Sequence, residues 1–310
     1  MYDIYQYLPD VTDFNLTLRS REASQRHYLL RFQSARAARP KHRYATADLC
    51  IPNRPGPKPL AILVHGAGDF SLAPLVRAGA ALAKGGIAAV TLRMVFNSRR
   101  QSPEIRKRYP FLSDAEWREF YVTSVTEIRQ LLDWAAIHPE IDADRVALVG
   151  ISLGGFIGAI AMGLDRRLGV GMLALMGGNS EKLVRHSRHV TVRRTERLSK
   201  AEFAVKQGRY AAYLERVAAA GFAQVAPDEP YYLTDPLTFA PQLRDRRLLM
   251  VGARWDEIVP REGTLEFWRA AGTPPLHWLP ITHLGFWLAT PWINRRVARF
   301  LRAELLGQPD

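Results

Sequence analysis

Gly150-Ile151-Ser152-Leu153-Gly154-Gly155 is a G-x-S-x-G sequence with one further glycine, and its flanks decide how the rest of the chain is read. Before it runs Arg145-Val146-Ala147-Leu148-Val149, an apolar stretch of strand length, and after it comes Phe156-Ile157-Gly158-Ala159-Ile160-Ala161-Met162, which reads as a buried helix. Strand, tight turn and helix with a serine at the apex form the context of a nucleophile elbow. The requirement is steric. A strained backbone at Ser152 projects its Oγ from the sheet, and glycines two residues either side leave room for the chain to double back. The helix that follows points its N-terminal amides at the same place, where they favour negative charge.

A nucleophilic serine needs a base, and the base needs a group that orients it. In sites of this kind the acid and then the histidine follow the serine along the chain. Arg247-Leu248-Leu249-Met250-Val251-Gly252 reads as a buried strand, and Ala253-Arg254-Trp255-Asp256-Glu257-Ile258-Val259-Pro260 follows it. Asp256 is the candidate acid, with Glu257 one residue along as the alternative. A loop or helix-capping aspartate is the structural reading of the same residue. Two histidines lie downstream. His277 falls within Pro275-Leu276-His277-Trp278-Leu279-Pro280, a short strand in which it packs; His283, in Ile281-Thr282-His283-Leu284-Gly285-Phe286, falls on a loop ahead of the last helix and is the candidate base. Two backbone donors complete such a site. Leu153 N–H follows the nucleophile, and His65-Gly66-Ala67-Gly68 turns the chain after the strand Pro59–Val64, which makes Ala67 the second candidate, ahead of Gly66 or Gly68. His65, at the strand end, is expected to hold that turn by hydrogen bonding.

Through LVHGAG at 63–68, RVALVGISLGG at 145–155, VGARWDEIVP at 251–260 and ITHLGF at 281–286, the chain resembles the α/β-hydrolase superfamily over roughly residues 44 to 305. The resemblance implies Ser152, Asp256 and His283 as a triad, with the amides of Leu153 and Ala67 as the oxyanion hole. It is strongest to esterases and to the catalytic domains of prolyl-oligopeptidase-type peptidases. HGAG in place of HGGG argues against the hormone-sensitive-lipase-like group, and no propeller-length segment precedes the core.

The expected architecture is α/β: a mostly parallel central sheet with helices on both faces and a helical cap insertion, in a single domain over 1–310. Strands are expected at 26–32, 43–51, 60–65, 87–92, 145–150, 170–176, 246–252 and 275–279, alternating from the third onward with helices at 73–84, 114–137, 154–164, 261–271 and 291–305. Residues 178–240 break the alternation and are too long for a simple connection. A helical pattern at 198–220 marks them as a cap over the mouth of the site. The excursion at 93–113, with Met94, Phe96, Tyr109 and Phe111, offers a second wall or further core. Residues 1–24 read as a polar, irregular extension that packs through Tyr2, Tyr5, Tyr7 and Phe14. Trp255 and Trp287, beside the acid and base in sequence, are candidate substrate contacts that would surround the imidazole.

With 310 residues, 47% of them hydrophobic, the chain can bury a large core. Its start lacks a basic and then apolar leader, and no run is long enough to span a membrane. The single cysteine, Cys50, excludes an internal disulfide, reads as core and suits a reducing cytoplasm. The formal charge is +13, and 36 of the 43 basic residues are arginine. Basic tracts at 99–108 and 185–200 are expected as solvated helix surface or as a rim that draws an anionic substrate.

The reaction these residues imply is hydrolysis of a small carboxylic ester through an acyl-enzyme, with no cofactor and no metal. A peptidase, amidase, thioesterase or acyltransferase on the same side chains is the nearest alternative. A non-catalytic binding protein, with the arginines on nucleic acid, is the rival of a different class. Serine at 152 disfavours dienelactone-type chemistry, which places cysteine there, and dehalogenation, which places aspartate.

Overall fold

The computed structural model describes residues 3–9, 13–67, 72–96, 99–195 and 198–308. Tyr2 and Gly68 fall outside them, as does the side chain of Trp287. The first three strands, β1 (Phe14–Arg21), β2 (Gln25–Gln33) and β3 (Tyr44–Pro52), pair antiparallel in succession. Next come β4 (Lys58–Val64), α1 (Ala73–Lys84), β5 (Ala88–Arg93), α2 (Pro103–Arg108), α3 (Asp114–Ile137), β6 (Ile141–Ile151), α4 (Leu153–Leu164) and β7 (Val170–Ala174). After β7 the chain leaves the sheet for α5 (Ser180–His186), α6 (Val190–Arg193), α7 (Lys200–Ala220) and α8 (Pro236–Phe239). It returns through β8 (Arg247–Ala253), α9 (Arg261–Ala270), β9 (Leu276–Leu279) and α10 (Thr290–Leu306).

Among the described residues, nine strands form one sheet in the order β1-β2-β3-β5-β4-β6-β7-β8-β9, antiparallel from β1 to β5 and parallel from β5 to β9. Of the parallel strands, β4, β5 and β7 are buried on both faces, which is why they read as continuous apolar runs rather than alternating ones. Along β4, Leu60, Ile62 and Val64 join the core that holds Phe156 and Ile160 of α4, with Val125 and Ile128 of α3. Ala61 and Leu63 face the opposite side, which Leu75 and Leu82 of α1 and Ile293, Val297 and Leu301 of α10 close. Cys50 lies in β3 and is buried, and burial pushes its thiol up to about 11. None of the helices, among the described residues, is long and apolar enough to cross a membrane.

Two regions depart from expectation. Residues 14–21, expected as part of an irregular extension, form β1, whose alternating Phe14, Leu16 and Leu18 pair with β2 across a register shift between Leu18 and Ser20. Ahead of it Tyr5 is buried and donates its hydroxyl to Leu233 O at 2.7 Å. The second departure is in the basic tract at 99–108. Arg106, Lys107 and Arg108 are exposed, but Arg100 is only 6% exposed and makes two 2.7 Å contacts to the carboxylate of Glu127, itself fully buried in α3. Arg100 also donates to Arg93 O and His42 O. A guanidinium with four such acceptors is stable in the interior, so this residue belongs neither to a solvated face nor to an anion-attracting rim. In the same excursion Phe96 packs on Trp117, Phe120 and Tyr121 and so belongs to the core.

Candidate active site

Ser152 ends β6 and starts α4 with φ 53° and ψ −122°, a conformation that L-residues rarely adopt. Its neighbours explain how the chain tolerates this. A Cβ added at Gly150 would lie 2.4 Å from Gly154 O, and one added at Gly154 would lie 2.3 Å from Val64 O. Both contacts are to backbone, which has no side-chain freedom with which to yield. The turn therefore closes only because the two positions lack side chains, and its closure brings β4 and β6 together at their C-terminal ends.

Asp256 and His283 reach that point from the following strands. Asp256 lies three residues beyond β8, and its Oδ1 accepts the N–H groups of Ile258 at 2.9 Å and Val259 at 2.7 Å. These bonds leave the carboxylate one rotamer, and it faces the loop after β9. His283 Nδ1 lies 2.9 Å from Oδ2 and 3.0 Å from Oδ1 of Asp256, while its Nε2 lies 2.9 Å from Ser152 Oγ. A carboxylate only accepts, so Nδ1 carries the proton, and Nε2 is left as the acceptor for the serine hydroxyl. The imidazole is buried, with 7% of the residue exposed. Sequence separations of 131 and 27 residues are thus closed into a continuous hydrogen-bonded line of three side chains.

Glu257, the alternative acid, points elsewhere. Its Oε2 accepts His283 N–H at 2.7 Å and its Oε1 accepts Leu284 N–H at 3.1 Å. Burial pushes its pKa up, but the N–H groups of His283, Glu257 and Leu284 outweigh that and hold it below the usual carboxylate range. In the sequence Glu257 stands out only as a substitute for Asp256; the N–H groups it binds become visible only once β9 places its loop beside β8.

The turn after β4 lies against the serine. A Cβ at Gly66 would be 3.2 Å from Ser152 Cβ. His65 holds this turn: Met94 N–H donates to its Nε2 at 3.1 Å, so its Nδ1–H donates to Gly66 O at 2.7 Å. Ala67 is exposed beside it. Leu153 is the first residue of α4, where an N–H has no carbonyl one turn earlier to bind. His277 is in β9 and meets Arg296 at 2.6 Å, away from the serine line. Trp255 is 56% exposed.

Residues 187–189 close against the acid loop from the insertion between β7 and β8. Ser187 Oγ and the N–H groups of Arg188 and His189 all donate to Glu257 O, and the Arg188 guanidinium donates to Asp256 O. A 280 Å³ hollow beside them is lined by His186, Arg188, Arg254, Asp256 and Arg261. A larger one of 640 Å³ lies between α7 and α9, lined by Lys182, Gln207, Tyr210 and Arg269, and neither hollow includes Ser152 or His283. Among the described residues no group of three or more His, Cys, Asp or Glu is placed to hold a metal ion.

Comparison with solved structures decides the fold. An acetyl xylan esterase from Paenibacillus sp. R4 superposes with a TM-score of 0.64 over 95% of this chain and 89% of its own, at 18% identity. The chain has the α/β-hydrolase fold. The same fold relates it to a cold-adapted esterase from an Arctic intertidal metagenomic library (TM-score 0.56, 16% identity, 93% of this chain and 99% of that one). An acylaminoacyl peptidase from Pyrococcus horikoshii matches 97% of this chain with 43% of its own, with a TM-score of 0.59 and 12% identity. By sequence, the chain is 26% identical over 184 residues to an uncharacterized protein of Mycobacterium tuberculosis, and the match takes in 59% of this chain. It spans only 37% of that relative's length. No known family's sequence model matches the chain. Within the α/β-hydrolase fold, Ser152 occupies the strand-to-helix elbow, and Asp256 and His283 follow the next strands at the same edge of the sheet.

Proposed function

We propose that the protein is a serine hydrolase that cleaves carboxylic esters through an acyl-enzyme. One observation carries this reading: His283 sits within hydrogen-bond reach of Ser152 Oγ on one side of its ring and of Asp256 on the other. In the reaction His283 Nε2 takes the hydroxyl proton as Oγ attacks the ester carbonyl, and Asp256 stabilises the imidazolium that forms. The N–H groups of Leu153 and Ala67 hold the oxyanion; each such donor is worth about 3 kcal/mol of barrier lowering. The imidazolium protonates the leaving alkoxide. Water, deprotonated by the same ring, then attacks the acyl carbon and releases the acid.

Residues 178–240 act as a cap in this proposal, because segment 187–189 is bonded directly to the acid loop. The arginines at 188, 254 and 261 beside that loop favour substrates that carry negative charge. A lone buried cysteine suits a reducing compartment.

The test pairs wild type with Ser152→Ala, using a fluorophosphonate probe and a p-nitrophenyl ester beside an aminoacyl p-nitroanilide. Wild type is expected to take up the probe and turn over the ester, and the alanine variant to do neither while melting at an unchanged temperature. Probe uptake by Ser152→Ala would move the nucleophile elsewhere. Faster cleavage of the anilide would make the enzyme a peptidase or amidase on the same residues.

A further inference from the structure

Two adjacent carboxylates, at 256 and 257, converge on one histidine from different directions. Asp256 bonds the ring of His283, whereas Glu257 bonds the main chain that carries it. At 283 the main chain also accepts Phe286 N–H on its carbonyl oxygen, at 3.3 Å. It has left β9 at Leu279, and the backbone has entered only a short 3-10 segment, Leu284–Ala289. Trp255 N–H donates to Ile281 O at 3.1 Å, and Gly285 N–H to Thr282 Oγ1 at 2.9 Å, but the donors at 283 and 284 are both satisfied by Glu257. The other side of the same residue is equally committed, since its carbonyl oxygen accepts Ser187 Oγ–H at 3.0 Å, Arg188 N–H at 2.9 Å and His189 N–H at 2.7 Å.

We propose that Glu257 is a positioning residue: its carboxylate sets the placement of His283 against Ser152, and its carbonyl oxygen ties that placement to residues 187–189 of the insertion. The inference rests on the reading of Ser152, Asp256 and His283 as the reacting groups. A ring placed by Asp256 alone is free to swing about the carboxylate, because one bonded edge leaves the Cα position open. Fixing the N–H of the same residue removes that freedom and holds Nε2 on the serine. The other charged or titratable groups around Glu257 are Asp256 and Arg254 on its own loop, Arg188 and His189 from the insertion, and His283 itself.

The test compares Glu257→Gln and Glu257→Ala with wild type, reading fluorophosphonate labelling rate, ester kcat and KM, and melting temperature. Glu257→Gln is expected to lower kcat about tenfold, and Glu257→Ala about a hundredfold, as displacements of an ångström or less at a reacting atom do. KM should stay close to wild type in both variants, because Glu257 places the base and not the substrate. Folded variants with wild-type labelling rates overturn the proposal. So does a loss of rate carried by a matching rise in KM, or unfolding of both variants, each of which makes Glu257 merely structural. If wild-type protein takes up no more probe than Ser152→Ala, the proposed reaction itself fails, and this inference with it, whatever Glu257 does.

Discussion

Asp256 shows how much a single side chain is asked to do. It accepts from two backbone N–H groups and from the imidazole, so its orientation is set before any substrate arrives. Asp256→Asn should keep the shape but present an N–H where an acceptor is needed, which favours the wrong imidazole tautomer. We expect kcat to fall by about 10³–10⁴-fold with little change in melting temperature, measured by steady-state ester hydrolysis beside a thermal scan. A fall of less than tenfold would remove Asp256 from the proposed mechanism. The three residues that meet were legible individually because each sits in a local pattern: an apolar run, then a turn. Glu257's bonds were not, since they link a loop after one strand to a loop after the next. Arg100 was misread for the same reason. Its charge suggested solvent, and Glu127, 27 residues away and in the middle of a helix, gives no local sign of being its partner.

At the scale of the element, α3 opens on a capping box. Ser113 caps it, accepting Glu116 N–H, while the Glu116 carboxylate accepts Ser113 N–H at 2.9 Å. Ser113→Ala should cost about 1 kcal/mol, read as a shift in the urea midpoint at neutral pH. The box also carries a pH signature. The Arg108 guanidinium bonded to Glu116 is the main reason its pKa is held down to about 2, with the Ser113 bonds adding to it against some burial. A carboxyl lowered on folding contributes stability that is complete above its unfolded value, near 4.5, and is lost as pH falls toward 2. Glu116→Gln should therefore flatten the decline in stability between those two pH values, with denaturation at successive pH as the check. The helices at 73–84 and 114–137 lie where apolar periodicity placed them. β1 was overlooked because its period-two pattern is short and its outward face polar and arginine-bearing, which reads as surface loop until β2 is seen to accept it.

For the whole molecule, the Arg100–Glu127 pair is an interior contact that ties α3 to Arg100 and, through the same guanidinium, to Arg93 O. Removing one partner leaves a buried charge with nothing to balance it. Arg100→Met should destabilise by about 3–5 kcal/mol, whereas adding Glu127→Leu to it should recover part of the loss, since no unpaired charge is then left in the interior. Chemical denaturation of both variants checks this; equal destabilisation of the single and double variants would show that the charge balance is not what matters. Nearby, burial first, and then the charges of Arg100 and Arg39, push His42 down to about 4. A histidine kept neutral by the fold lowers stability as pH drops from about 6.5, its free value, toward 4, so mild acid should loosen this region before it reaches the capping box of α3.

The sheet's outermost strand, eight residues from Phe14 to Arg21, has a neighbour on one side only among the described residues. Its free margin is a row of peptide groups on which another polypeptide could add a further strand, as happens in fibrils and swapped dimers. Two features work against that outcome here: the kink between Leu18 and Ser20 twists the row out of register, and Arg19 and Arg21 would place like charges opposite one another in a second copy.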